Sequence, residues 1–379
     1  MAGRVELAEV GDAATLDRFV RLPLRLNAGD PAWTPPLIME RKEALSPKIN
    51  PFFQHAEAAF WLAVRDGRDV GRISAQIDAL APEDPAAPSG YFGMIAAEDD
   101  PEVFAVLFAA AEGWLKARGK VRALGPFNLS INEEIGLLVD GFETPPMLMM
   151  PHDPRYAAVR VEEQGYVKEK DVFAYLIDTG VDVPAAARRR MERGLPQGVT
   201  LRRLDMTRYE ADVRALTEIF NDAWAGNWGF APLTEAETEH LAKSLKLLIN
   251  PNLFWFAELN GEPVGFGVVL PNLNEAARDL NGRLFPFGIV KLLWRLKVSG
   301  VRSARLPLMG IKRSVFSDAR AALLPFLIID NLRREARKLD IRTVEMSWIL
   351  EDNAPMRRII EKVGGDRYKT YRIFAKSLA

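Results

Sequence analysis

The chain has no cysteine, only three histidines, no excess of either charge and no long uncharged apolar run. Without cysteine there can be no disulfide, no zinc–thiolate centre and no thiol nucleophile, which agrees with a reducing compartment. His55, His152 and His240 are too far apart to read as a metal motif, so no metal is expected. With 50 basic and 51 acidic residues the formal charge is −1, too small for a long-range field that would hold a polyanion, and no nucleic-acid partner is expected. Nowhere do about 18 apolar residues run together as a spanning helix requires. The first residues, MAGRVELAEVGDAATLDRF, lack the apolar stretch of a secretion signal, so a cytoplasmic protein is expected.

What is present fits an ordinary globular protein: 48% of residues are hydrophobic, 27% are charged, and 379 residues suit two domains. Two stretches, FWLAVRDGRDVGRISAQI from Phe60 and LFWFAELNGEPVGFGVVL from Leu253, each place an Asp-Gly or Asn-Gly turn between apolar-rich runs, which predicts β-hairpins. After each hairpin comes a helical pattern (Pro101 to Arg118; Ala319 to Lys338) and then a strand (Val121 to Phe127; Thr343 to Ile349). Each half closes with a short helix, a Gly and a final strand region. This order predicts a tandem repeat of one α/β domain, residues 1–182 and 199–379, joined by a basic helical linker at 183–198.

In the second half the strand from Val199, the helices Tyr209 to Trp224 and Glu235 to Ile249, the hairpin, the strand Ala304 to Gly310 and the block EMSWILEDNAPMRRIIEKVGG from Glu345 together resemble the GNAT N-acyltransferase superfamily. The resemblance implies two mixed, mostly antiparallel sheets flanked by helices. It also implies acyl-CoA as co-substrate, with no resident cofactor, lying between the fourth and fifth strands. The pyrophosphate would meet backbone amides at the following helix, whose free N–H groups and dipole favour an anion. The corresponding loop, IKRSVFSDAR from Ile311, lacks the usual glycines and carries Asp318. Met309, Ile311, Lys312, Arg313, Ser314, Ser317, Arg320 and Asn353 are the expected CoA contacts, the cations compensating by direct pairing. The equivalent loop of the first half, AAEDDP from Ala96, is acidic, and no CoA is expected there. Ile360 stands where many superfamily members place a proton-donating Tyr, so the acid is expected to be Tyr368, Tyr371 or solvent.

Over most of its length the chain is similar to the bacterial ceramide synthases, through PAWTPPL, GPFNLSINEEIGLLVDGFETPP, PHDPRY, NDAWAGNWGFAPLTEAE and SWILEDN. That implies N-acylation of a sphingoid base, 3-oxosphinganine above all, by a long-chain acyl-CoA. An amine nucleophile must lose a proton to a carboxylate or His. The expected catalytic groups are Glu351, Glu134, His152 and Tyr368, with Glu345 and Asp352 beside them, each carboxylate or His having a structural reading as a cap, turn or core group. Trp224, Trp228, Phe230, Asn132 and Glu133 are the expected acceptor contacts, and plain core packing is the competing reading for the aromatics. Two alternatives stand: a GNAT-fold acyl or aminoacyl transferase with another amine acceptor, and a non-catalytic lipid-binding protein with degenerate repeats. The insertion FPFGIVKLLWRLKVSG is too short and charged to span a bilayer. A helix there would carry Leu284, Phe287, Leu292, Trp294 and Leu296 with Arg283, Lys291, Arg295 and Lys297, and Arg302 and Arg305 just beyond. It fits either a peripheral contact of residues 283–298 with the inner membrane or a helix buried by the neighbouring domain.

Overall fold

The computed structural model describes residues 3–246 and 248–379. The first half contains β1 (Glu6–Glu9), α1 (Ala13–Leu26), α2 (Ile38–Ala44), β2 (Ala56–Arg65), β3 (Arg68–Asp78), β4 (Ser89–Ala97), α3 (Pro101–Lys116), β5 (Arg122–Gly125), β6 (Phe127–Asn128), β7 (Glu134–Ile135), β8 (Leu137–Asp140) and α4 (Ala157–Glu163). Then come β9 (Val167–Asp178), α5 (Ala185–Met191), β10 (Val199–Arg203), α6 (Tyr209–Trp224), α7 (Glu235–Leu245), β11 (Phe254–Leu259), β12 (Glu262–Pro271), α8 (Leu273–Ala277) and α9 (Gly288–Trp294). The chain ends with β13 (Ser303–Ile311), α10 (Leu324–Lys338), β14 (Thr343–Leu350), α11 (Ala354–Lys362) and β15 (Gly365–Ser377).

Both predicted hairpins are present. Asp66 and Gly67 (φ 51° and 74°), like Asn260 and Gly261 (φ 53° and 86°), take the paired left-handed conformations that a two-residue turn needs to match strand twist. The crossover helices α3 and α10 begin near the expected places, but α10 starts at Leu324 rather than Ala319, because Ala321–Leu323 form a separate 3-10 turn before Pro325.

Two compact units result. Unit 1 comprises Met1–Val172, Ala277–Ile289 and Lys369–Ala379; unit 2 comprises Phe173–Ala276 and Val290–Tyr368. These bounds differ from the expected 1–182 and 199–379. Phe374 and Leu378, from the last strand, are buried among Val103, Phe108 and Tyr166 of unit 1. Phe173, Tyr175 and Ile177 are buried among Leu324, Ile328 and Met346 of unit 2. Side-chain burial, rather than chain order, decides membership.

In unit 1 the strand order is β1-β2-β3-β4-β5-β15, with β8 also on β15. All neighbours are antiparallel except β4 and β5, the pair joined through α3. In unit 2 the order is β10-β11-β12-β13-β14 with β9 beyond, and here the parallel pair is β13 and β14, joined through α10. A parallel pair needs a crossover of this kind, and in both units it is a helix packed on one sheet face.

Candidate active site

In unit 2 the β13–β14 ladder runs only from Ser303↔Thr343 to Leu306↔Met346. Beyond it β13 continues to Ile311 and β14 to Leu350, so the two strands diverge and their facing edges lose each other as partners. Leu306 and Met346 point into the apolar core. Alternation along a strand puts Arg305, Glu345 and Ser347 on the opposite face, at the vertex of the opening.

That vertex holds a buried polar network. The Arg305 and Glu345 side chains are 1% and 0% exposed and approach to 3.5 Å. Arg305 Nε donates to Ser347 Oγ at 2.9 Å, and the Ser347 hydroxyl donates to Glu345 Oε1 at 2.6 Å. The half-buried Tyr368 donates its phenolic O–H to Glu345 Oε2. The Arg305 guanidinium lies 4.7 Å from the Trp348 ring centroid. Burying these charges is tolerable only because each has a partner. Arg305, expected among the lipid-facing cations, is therefore a core residue: its register opposite Glu345 draws it inward.

The loop from Ile311 to Arg320 contains one 3-10 turn, Arg313–Val315, and runs into a second at Ala321–Leu323. Asp222 Oδ2 accepts the Arg313 N–H at 2.6 Å, and Asp318 Oδ1 accepts the Arg320 N–H at 2.8 Å. Asp318 also takes Arg320 Nε at 3.0 Å, and Arg320 reaches the Gln197 carbonyl at 2.8 Å. The carboxylate is thus compensated, as its position beside a helix start requires, while two expected phosphate cations face carboxylates: Arg320 pairs with Asp318, and Arg313 lies 3.6 Å from Asp222 Oδ1. Among the described residues the N–H groups of Ser317 and Ala319 meet no acceptor, and Lys312, Arg313 and Ser314 reach solvent. Two amide donors beside two cations suit an anion.

Around the opening, Trp224 Nε1 donates to the Met309 carbonyl at 3.3 Å, placing this indole against the diverging part of β13. Phe220 joins Trp224 and Phe230 at centroid distances of 4.8 and 5.7 Å; Trp228 is half-buried in the following turn. Asn353 caps α11, accepting the Met356 N–H at 3.2 Å. Glu351 lies in the turn before that helix, its carbonyl accepting from Arg357 at 2.8 Å. Ile360 is fully buried in the unit 2 core.

Unit 1 treats the same frame differently. Its parallel ladder ends at Tyr91↔Leu124, but the chain after β5 stays against β4: Asn128 Oδ1 accepts the Met94 N–H at 2.7 Å. A Cβ on Gly93 would fall 1.8 Å from the Phe127 carbonyl oxygen, so only glycine admits this approach. The helix start that would meet a phosphate is capped by Asp100, which accepts the Glu102 N–H at 2.9 Å and pairs with Arg65.

Unit 1 does gather the other predicted residues. Glu134 receives Arg41, and Asn128 Nδ2 at 2.8 Å; burial opposes its ionisation, but Arg41 and Asn128 outweigh it and hold the carboxyl below its usual range. Burial pushes neighbouring Glu133 up to about 8, against Arg41 and with repulsion from Glu40 and Glu134. Burial likewise pushes Asp153 up to about 7, against the Leu138 N–H. Asn132 donates its N–H to Ser130 Oγ at 3.1 Å. His152 is buried, with Nε2 2.9 Å from Asp30 Oδ2, and burial keeps its ring below its ordinary value despite that carboxylate.

The sequence reading named Glu345 and Tyr368 but gave no role to Ser347 or Trp348 and the wrong surroundings to Arg305. The signal was there in SWILEDN and in the polar Arg on an otherwise apolar strand, yet only the register joins residues 40 positions apart.

No family model matches the chain. It is 60% identical over 366 residues to the bacterial ceramide synthase of Caulobacter vibrioides, covering 96% of this chain and 95% of that one. It is 44% identical over 364 residues to Protein YghO of Escherichia coli, covering 96% and 93%. Among solved structures, a tandem GNAT protein from the clavulanic acid biosynthesis pathway superposes with a TM-score of 0.55 at 14% identity, over 99% of both chains. The GCN5-related glucosamine N-acetyltransferase region of a fungal β-N-acetylglucosaminidase gives 0.57 at 12% identity, over 99% of this chain and 38% of that one. The fold is therefore a tandem GNAT fold, and the chain belongs to the family of bacterial ceramide synthases, which are N-acyltransferases.

Proposed function

We propose that the protein transfers a long-chain acyl group from acyl-CoA to the amine of a sphingoid base, 3-oxosphinganine, forming a ceramide precursor. The observation that carries this reading is the divergence of β13 and β14 after Leu306 and Met346. It gives the thioester arm an extended backbone edge to pair with. The donors at Ser317, Ala319, Lys312 and Arg313 stand where the pyrophosphate would lie, and Asn353 orders the next turn. Trp224, Trp228 and Phe230 wall the aliphatic acceptor.

In the reaction the neutral amine attacks the thioester carbonyl, and the oxyanion is taken by N–H groups of β13 near Leu308 to Ile311. The C–N bond forms and the C–S bond breaks. Tyr368 accepts the amine proton as its own moves to Glu345, and the pair returns a proton to the departing CoA thiolate. Tyr368 is half-buried whereas Glu345 is fully buried, so we assign the phenol, not the carboxylate, to meet the substrate. Glu351 lies in the turn before α11, where its carbonyl accepts from Arg357, and we assign it to ordering that turn.

The test is thiol release from palmitoyl-CoA with and without 3-oxosphinganine, with the amide followed by mass spectrometry. Acceptor-dependent thiol matched by amide is expected. Tyr368→Phe should lower kcat by about 10²-fold or more while the KM for acyl-CoA stays put. Folded protein that neither binds acyl-CoA nor releases thiol would replace this reading with a non-catalytic lipid-binding protein, which the engagement of loop amides by Asp222 and Asp318 favours.

A further inference from the structure

The insertion that ends in α9 is not covered by the protein's own packing. The helix runs from Gly288 and continues as a π turn over Arg295–Ser299. Val290 is 65% exposed, Trp294 60% and Val298 62%, while Leu292 is the buried residue of α9 and Ile289 and Leu296 are half-buried. Positions 290, 293, 294 and 298 recur at helical spacing, so these side chains share one outward face. The chain leading into the helix adds Phe285 and Phe287, 69% and 79% exposed. Two phenylalanines, a tryptophan and two valines left in water are an unfavourable surface for a molecule that has no use for it.

Charge identifies the occupant. From Leu280 to Ser317 the sequence contains no acidic residue, although acids and bases balance over the whole chain. Arg283, Lys291 and Lys297 within this stretch are exposed. A partner protein or a second copy of this nearly neutral chain would not call for one-sided charge around exposed aromatics. Anionic headgroups above an acyl layer would, with cations meeting phosphates and Trp294 at the boundary. No helix among the described residues is long and apolar enough to cross a membrane.

We propose that α9 and the chain leading into it dock the protein on a bilayer rich in anionic phospholipid, with Phe285, Phe287, Val290, Trp294 and Val298 entering the acyl boundary. The inference gains its purpose from the acyl-transfer reading but can fail separately from it.

The experiment is co-sedimentation of the full chain with phosphatidylglycerol-containing vesicles and with pure phosphatidylcholine vesicles. It compares wild type, the triple variant Phe285→Ser/Phe287→Ser/Trp294→Ser and the charge variant Lys291→Gln/Lys297→Gln. Wild type should pellet with anionic vesicles and be released by high salt. The triple variant should partition roughly tenfold less or worse, as loss of three buried aromatic anchors requires. It should keep its circular dichroism and its N-acylation of detergent-dispersed acceptor. The proposal is overturned if wild type stays in the supernatant with anionic vesicles, or if the triple variant pellets as well as wild type. It is also overturned if wild type is a dimer in solution that the triple variant breaks, which would give the face to a second copy. Loss of acyl transfer with vesicle binding intact would refute only the proposed reaction.

Discussion

Replacing Arg305 by methionine tests the vertex of the opening. The substitution keeps an unbranched apolar stem and removes the guanidinium, leaving the Glu345 carboxylate, 0% exposed, with the Ser347 and Tyr368 hydroxyls. Removing one partner of a buried ion pair costs about 3–5 kcal/mol, because the remaining charge keeps its desolvation penalty. Loss of the contact with Trp348, 4.7 Å from the ring centroid, adds about 0.5–2 kcal/mol. In a unit of this size each kcal/mol lowers Tm by about 2–4 °C, so a drop of about 10 °C is expected. Arg305→Met/Glu345→Gln removes the stranded charge along with its partner and should recover at least about 2 kcal/mol over the sum of the single effects. Urea melts of the four proteins, followed by far-UV circular dichroism, give the cycle. If the two substitutions simply add, Arg305 and Glu345 are not coupled, and the proposed proton relay through Tyr368 loses the ion pair that fixes its acceptor.

Glu133→Gln should change how stability depends on pH. A carboxyl whose pKa is raised to about 8 in the folded state contributes stability that is fully present below its unfolded value of 4.5 and lost as pH climbs through 8. Screening of the half-buried side chain reduces the full value of roughly 5 kcal/mol, so the Gln variant should exceed wild type by about 2 kcal/mol at pH 8.5 and match it near pH 4.5, which thermal melts across that range will show. Lys312→Ala/Arg313→Ala should raise the KM for acyl-CoA about tenfold with kcat nearly unchanged, measured by thiol release at low salt, because it removes two cations from the loop without touching the vertex. Gly93→Ala should destabilise unit 1 by about 2–3 kcal/mol in urea melts, since its Cβ would press on the Phe127 carbonyl, which also accepts Gln76 Nε2 at 2.6 Å.

The hairpins, the crossover helices and the strands that follow them were legible because their signals are local: two-residue turns, helical periodicity, an apolar run. β4 was not, since SGYFGMIAA interrupts its apolar residues with glycines, of which Gly93 serves the close approach of Phe127 and Gly90 that of Leu115 rather than the strand itself. α1 was also passed over, although Asp12 and Thr15 form a reciprocal cap at its start. The unit boundaries escaped for another reason. Membership of Phe374 and Tyr175 is settled by which core buries them, and no property of either stretch announces that. Arg305 was misplaced because its sequence neighbours are basic and its true partner is on another strand. Site residues are harder to read than elements because a site is assembled by register, and register belongs to pairs of segments.

The two units show how one frame can keep or lose an opening without losing its fold. Both retain three antiparallel strands, a crossover helix and a parallel partner, so both retain the core that pays for folding. What differs lies just past the last parallel pair. In unit 1, Gly93 lets Phe127 and Asn128 lie against β4, and Asp100 supplies the anion its helix start would otherwise seek. In unit 2, the edges of Pro307–Ile311 and Ser347–Leu350 stay apart from each other, and the nearest polar groups are a charge-balanced network rather than a filling strand. A closed frame gains packing and backbone hydrogen bonds, so an opening left beside a buried ion pair is a cost to stability. That cost would be repaid by a ligand whose extended amide chain completes the exposed backbone, and for this reason the proposed function assigns the acyl donor to unit 2.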